Sequence, residues 1–353
     1  MAENTLLSMD RTTVAEPVLK HVPGDFLVRE NVVVDLVDEK AATHQYSLLR
    51  KSGYTTMEAV RLLADRLALA ARDITYAGLK DEDGITEQLV ALPAGHLPAR
   101  RFWRDAERWL ELLPYGLGDG PLEIGRLEGN GFRVTLRDLS PAEAATLSAA
   151  RKINLLFLNF YDTQRFGVPG GPKLTHVLGG ALLDEDWHTA LSVLIGLDAP
   201  ESGLAADWRG TARDFFAALD PRTTSFYLAA HASAQWNADL ADVVAHACPQ
   251  QHIDIELDGM DYRYVDSDDA AAAVLGAARE LPFTKYAFRD GAVTSRLSPR
   301  PTVVQTTVEV GADTPDPYFP GRCAVPLSFF LPSGSYATGA IRQLALRFRA
   351  GER

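Results

Sequence analysis

The segment Thr55 to Ala70, TTMEAVRLLADRLALA, places Met57, Val60, Leu63, Leu67 and Ala70 at three- and four-residue spacings, which gathers apolar side chains on one helical face. Thr55 and Glu58 have the spacing of a capping box, so the helix start is marked as well. Such a helix must bury its apolar stripe against another element. Upstream, Asp25 to Leu36 and His44 to Leu49 are rich in β-branched and apolar residues with partial period-two alternation; downstream, Asp73 to Leu79 and Thr86 to Leu92 read the same way. The expectation is a helix lying on a sheet built from strands on both sides of it in sequence. Interleaved strands and helices make the class α+β, with α/β as the alternative.

Farther along, Leu122 to Leu127 and Phe132 to Leu136 read as a strand pair bracketing Glu128-Gly129-Asn130-Gly131, and Ser140-Pro141-x-Glu143 opens another helix. From about Gly167 the texture changes to glycines followed by helical stretches near Asp186 to Leu197 and Ser225 to Ala247. A second, mainly helical unit is expected there, to about Arg300. Thr302 to Val310 and Ala324 to Phe330 then read as strands returning to the first sheet, followed by the turn-rich LPSGSYATG and a last helix near Ala340 to Arg349. The expected organisation is therefore a first domain at 1–160, an inserted one at 161–300, and a closing part of the first at 301–353.

A chain of 353 residues suits two domains, and 46% hydrophobic with 23% charged residues is ordinary for a globular protein. A formal charge of -12 argues against nonspecific polyanion binding while allowing a local basic groove. Cys248 and Cys323 stand without metal-ligand spacing, so neither a metal site nor a disulfide framework is expected. The N-terminal stretch has no basic-then-apolar leader pattern, and the longest apolar run, Ala270 to Ala278, is too short to span a membrane. A cytoplasmic location is expected.

The stretch richest in chemistry is Tyr76 to Gln88, YAGLKDEDGITEQ, where Lys80 precedes Asp81, Glu82 and Asp83 at the end of a short apolar run. A carboxylate held in place beside a cation stays ionised and can act as nucleophile or base. The same residues also make an ordinary charged turn, with Gly84 at positive φ. Asn130-Gly131 alone is a hairpin signal, Phe26 and Phe132 alone are core aromatics, and Gln164-Arg165-Phe166-Gly167 alone is a helix end.

Taken in order, KHVPGDFLVRE from Lys20, HQYSLLRKSGYTT from His44, YAGLKDEDGITEQ from Tyr76, GNGFRVTLR from Gly129, LNFYDTQRFG from Leu158, SFYLAAHASAQWN from Ser225 and FFLPSGSYAT from Phe329 resemble the successive motifs of the TruD family of tRNA pseudouridine synthases. The resemblance implies a mixed antiparallel sheet in a catalytic domain, interrupted by a family-specific insertion, with the active-site cleft between them. It also implies conversion of a uridine in RNA, tRNA first and uridine-13 of the D-arm by analogy, to pseudouridine without cofactor or metal. By motif match Asp81 would be the catalytic carboxylate, with Lys20 as its cationic partner and Lys80 as the second candidate. Phe329 would stack on the uracil, Asn130 and Phe132 would contact the nucleotide, and Phe26 would line the pocket. Gln88, Gln164 and Arg165 would brace the cleft.

The sequence departs from the family pattern at Glu82 and Asp83, at Ala232 where an arginine is expected, and in lacking a Gly-Pro-Leu-x-Gly segment between Asp254 and Arg300. These changes remove cations or contact surface that would meet phosphates. They open a second reading, the same chemistry on another RNA or on a free uridine nucleotide supplying a biosynthetic pathway. A noncatalytic RNA-binding or chaperone protein is a third.

Overall fold

The computed structural model describes residues 17–80, 82–95, 99–167, 171–289 and 292–350. In chain order the main elements begin β1 (Phe26–Asn31), β2 (His44–Ser52), α1 (Thr56–Leu67), β3 (Thr75–Tyr76), β4 (Ile85–Pro93), β5 (Arg101–Asp105), β6 (Arg108–Gly118), β7 (Gly129–Leu139), α2 (Pro141–Ala150) and β8 (Lys152–Leu158). They continue with α3 (Thr175–Leu183), α4 (Trp187–Gly196), α5 (Ser202–Asp207), α6 (Ala212–Ala218), α7 (Pro221–Ala247), β9 (His252–Leu257), β10 (Met260–Val265), α8 (Asp268–Ala277), β11 (Glu280–Arg289) and β12 (Ala292–Pro301). The chain closes with β13 (Val303–Val310), β14 (Thr314–Pro315), β15 (Cys323–Pro332) and α9 (Ala337–Ala350). Two compact units emerge, one holding Glu16–Leu155 with Thr306–Gly334, the other Leu156–Gln305 with Ser335–Arg353.

The principal sheet runs β5-β6-β2-β4-β1-β7-β15-β13-β8, with β3 on β4 and β14 on β15. It is mixed: β1 and β4 run parallel, while β1 with β7 and β7 with β15 are antiparallel. With its helices this is an α+β fold. The strands after residue 302 do return to the first sheet, where β15 pairs along β7. Helix α1 begins as its sequence dictates: the Thr55 hydroxyl accepts from the Glu58 amide and the Glu58 carboxylate accepts from the Thr55 amide. Its Ala59, Val60 and Leu63 pack on Leu49, Val90 and Leu110 of the sheet. The Ser140 and Glu143 pair caps α2 in the same way.

Two local readings change. Leu122 to Leu127 forms no strand, and Asn130-Gly131 is not a hairpin turn but the interior of β7, opposite Glu30 and Arg29 of β1 and Leu331 and Phe330 of β15. Strand partners on both edges satisfy these backbones and override a turn preference that is only local. Asp73 to Leu79 contracts to the two-residue β3 after a 3-10 turn at Ala71–Asp73. Beyond Tyr76 the backbone is bonded by side chains: the Gly78 carbonyl accepts from Gln88 and the Lys80 amide donates to Thr56.

In the other unit, α7 runs through an apolar core in which Ala232 and Trp236 meet Phe160, Tyr262 and Val274. Ala232 is buried there, where an arginine would need a charged or polar partner.

Candidate active site

Alternation along the strands sorts the site. Phe26, Val28 and Glu30 point to one face of the sheet, and register brings Asn130, Phe132 and Phe329 to that same face. Phe329 stacks on Phe132 with centroids 5.4 Å apart and 22° between planes, and Phe26 meets Phe132 edge-on at 6.0 Å. Phe26 and Phe329 are buried while Phe132 is half-exposed, so Phe132 offers the more open ring. Such a surface can hold a flat heterocycle by stacking, at about 1–3 kcal/mol per base.

Glu30, Lys80, Asn130 and Gln88 form the polar part of the same face. Lys80 Nζ lies 2.5 Å from Glu30 Oε2, with both side chains almost without exposure. The buried Glu30 Oε1 and Asn130 Oδ1 have no hydrogen-bond partner among the described residues, and the two residues are opposite each other in register. Orphaned buried acceptors of this kind are expensive unless something donates to them. Gly78 lies beneath this pair, where a Cβ would sit 2.5 Å from Glu30 Oε2 and 2.7 Å from Lys80 Nζ and would push the two side chains aside.

Asp81 lies outside the described residues; the residues flanking it in sequence are described, and both are fastened. The Thr56 hydroxyl accepts from the Lys80 amide at 2.8 Å and donates to Gln88 Oε1 at 2.8 Å, and Gln88 Nε2 donates to the Gly78 carbonyl at 2.9 Å. Lys51, 1% exposed, donates to the carbonyls of Tyr54 at 2.7 Å and Lys80 at 3.2 Å. Beyond position 81, the Glu82 carbonyl accepts from the Gly53 amide at 3.1 Å. Gly84 has φ +94°, and a Cβ there would meet the Phe26 carbonyl oxygen at 2.3 Å, so the turn closes directly against the aromatic cluster. Lys51 and Thr56 escaped the sequence reading although both lie in HQYSLLRKSGYTT; beside Arg50 in a strand already rich in polar residues, nothing local marks Lys51 as buried.

Lys20 has φ +57°, unusual for a side-chain-bearing residue, and its Nζ sits 4.7 Å from the Phe26 ring centroid and 3.5 Å from Asp83 Oδ2. One of the unexpected acids is thus a partner of this cation. The strand that carries Phe26 is anchored at its start: Asp25 accepts two bonds from Arg137, which also donates to Asp316. Gln164 and Arg165 belong to the other unit, in a 3-10 turn at Thr163–Arg165. Gln164 is exposed, while Arg165 donates to Ser233 at 3.3 Å and lies over the Phe226 ring at 5.5 Å. Among the described residues no group of three or more His, Cys, Asp or Glu has metal-holding geometry, and no helix is long and apolar enough to cross a membrane.

A solved crystal structure of a Methanosarcina mazei protein assigned to tRNA pseudouridine synthase D (TruD) superposes with a TM-score of 0.58 at 18% identity, covering 95% of this chain and 94% of that one, a likeness of fold. A tRNA pseudouridine synthase D of Geotalea daltonii is 34% identical over 54% of this chain and 47% of its own length. Another, of Colwellia psychrerythraea, is 26% identical over 85% of this chain and 82% of its own length. The chain thus spans about half the length of several relatives it matches, the Geobacter sulfurreducens protein at 44% among them. The sequence model described as tRNA pseudouridine synthase D (TruD) matches residues 6–234, more than half of the 353. The chain belongs to the TruD family.

Proposed function

We propose that this protein is a pseudouridine synthase that isomerises a uridine in tRNA, by family analogy uridine-13 of the D-arm, with Asp81 as its carboxylate. The observation that carries the reading is the joint presence, on one sheet face, of the Phe26, Phe132 and Phe329 rings and the fastened backbone on either side of position 81. The uridine is extruded from its stack and held against the rings. Asp81 starts the reaction by attack on C1′ or by removal of the C2′ proton. The C1′–N1 bond breaks and the uracil turns on the aromatic surface; C5 then bonds to C1′ as the Asp81–C1′ ester bond breaks or, in the other route, as Asp81 returns the proton to C2′, and the C5 proton leaves to solvent while N1 gains one. Glu30 and Asn130 offer acceptors for donors on the nucleotide, and Lys20 supplies positive charge near the ring of Phe26. In this reading the unit with Glu16–Leu155 and Thr306–Gly334 is catalytic and the inserted segment, expected at 161–300, shapes RNA contact.

A second reading keeps the chemistry on a free uridine nucleotide. The observation favouring it is Asp83 facing Lys20, which takes up a cation that the many phosphates of a tRNA would otherwise use. Tritium release from 5-tritiated uridine separates the readings, run on unmodified tRNA and on uridine monophosphate with Asp81→Ala as control. Release from tRNA that the variant abolishes is expected. Release from the mononucleotide alone would replace tRNA as substrate, and none from either would leave another RNA as substrate or a noncatalytic RNA-binding role.

A further inference from the structure

The face of the sheet opposite the aromatic cluster carries a second construction. Leu27 and Arg29 of β1, Gly131 and Arg133 of β7, and Ser328 and Phe330 of β15 alternate away from Phe26, Phe132 and Phe329 and stand opposite one another in register. With Arg50, Glu87, Glu309 and Lys152 they line a pocket of about 700 Å³, whose wall also takes in Val28, Phe132 and Phe329 where these alternate with them along the strands. Four cations thus meet two carboxylates on a chain whose overall charge is -12. Glu87 is already engaged, by Arg29 at 3.0 Å and Arg50 at 2.8 Å. Arg133 and Lys152 are exposed and have no acidic partner among the described residues. Phe330 is 44% exposed beside them.

The floor is glycine. Gly131 sits mid-strand without a positive φ, and a Cβ there would meet only the Arg29 carbonyl oxygen, at 3.9 Å. Nothing in the fold demands a glycine at this position, which weakens a strand; mid-strand glycines often mark a bulge, a bend or a close approach by a ligand or another backbone, and the register is regular through Gly131. Uncommitted guanidinium and ammonium groups, the half-buried hydroxyl of Ser328, and an accessible aromatic ring above a bare floor suit a phosphodiester with a base stacked beside it.

We infer that this reverse-face groove is a second RNA-binding surface, holding a single-stranded segment of the RNA through Arg133, Lys152 and Phe330 while the opposite face takes the reacting uridine. The inference rests on the RNA reading above. The test is fluorescence anisotropy of labelled unmodified tRNA from 50 to 200 mM salt with wild type, Arg133→Gln/Lys152→Gln, and Gly131→Val, each checked for folding by thermal melting. The double variant is expected to bind roughly tenfold more weakly and to lose about 1.4 from the slope of log affinity against log salt, two single-strand phosphate contacts. Gly131→Val is expected to melt no lower than wild type and to bind more weakly. Wild-type affinity and slope in both folded variants would overturn the groove and leave the synthase reading standing. No binding of tRNA by the wild type would overturn the groove too, while tritium release from the mononucleotide would still report the chemistry.

Discussion

At the scale of single residues, the site is organised by polar groups that have few alternatives. Lys80 and Glu30 are buried together, so removing one strands the other. Lys80→Met should destabilise the protein by about 3–5 kcal/mol, and Lys80→Met/Glu30→Leu should recover most of that loss. Urea unfolding of the pair checks this; a single variant within 1 kcal/mol of wild type, roughly the value of an exposed pair, would refute it. Thr56 acts through backbone. Thr56→Val leaves Gln88 Oε1 and the Lys80 amide without their partner, which should cost about 1–3 kcal/mol. If the clamp positions the segment around residue 81, turnover in tritium release should fall more than tenfold while the affinity for RNA hardly moves. Equal losses in both would assign Thr56 a general structural role instead.

Elements show where local preference yields to packing. The Asn130-Gly131 dipeptide has strong turn preference, yet β1 and β15 occupy both edges of β7 and keep it extended. That choice places Asn130 and Phe132 on one face and Gly131 and Arg133 on the other, the division on which both proposed surfaces depend. Helix packing sets a pH response. Burial, and then the neighbouring charge of His231, holds the His176 imidazole below its ordinary pKa, and His231 Nδ1 is 3.3 Å from the His176 carbonyl. A depressed folded pKa means the unfolded chain binds the proton more readily. The contribution is complete above about pH 6.5, the unfolded value, and is lost as pH falls through the lower folded one. Melting temperature should therefore drop on acidification below about pH 6.5, and His176→Gln should flatten that drop. An unchanged profile in the variant would assign the drop to other groups.

For the molecule as a whole, charge limits how RNA can be held. With -12 overall, attraction must come from local cations, and several of these are already paired with carboxylates. The slope of log affinity for tRNA against log salt should then be roughly -2 to -4, well short of the loss expected from six to ten phosphate contacts. A slope steeper than about -6 would mean that phosphates are met by many more cations than these.

The chain by itself determined the helix starts at Thr55 and Ser140, most of the strand-forming segments though not Leu122 to Leu127, and a set of motifs whose order identifies the family, because caps, periodicity and motif spacing are local properties written along the sequence. Phe26, Phe132 and Phe329 were legible as candidates in the same way. Which side chains share a face was decided only by the tertiary structure, since a strand's register with its neighbours is a long-range fact. So was the burial of Lys51 under the Lys80 carbonyl, the pairing of Lys20 with Asp83, and the bare floor at Gly131. Each joins residues far apart in sequence, where no local preference operates and only the closed sheet brings the groups within reach.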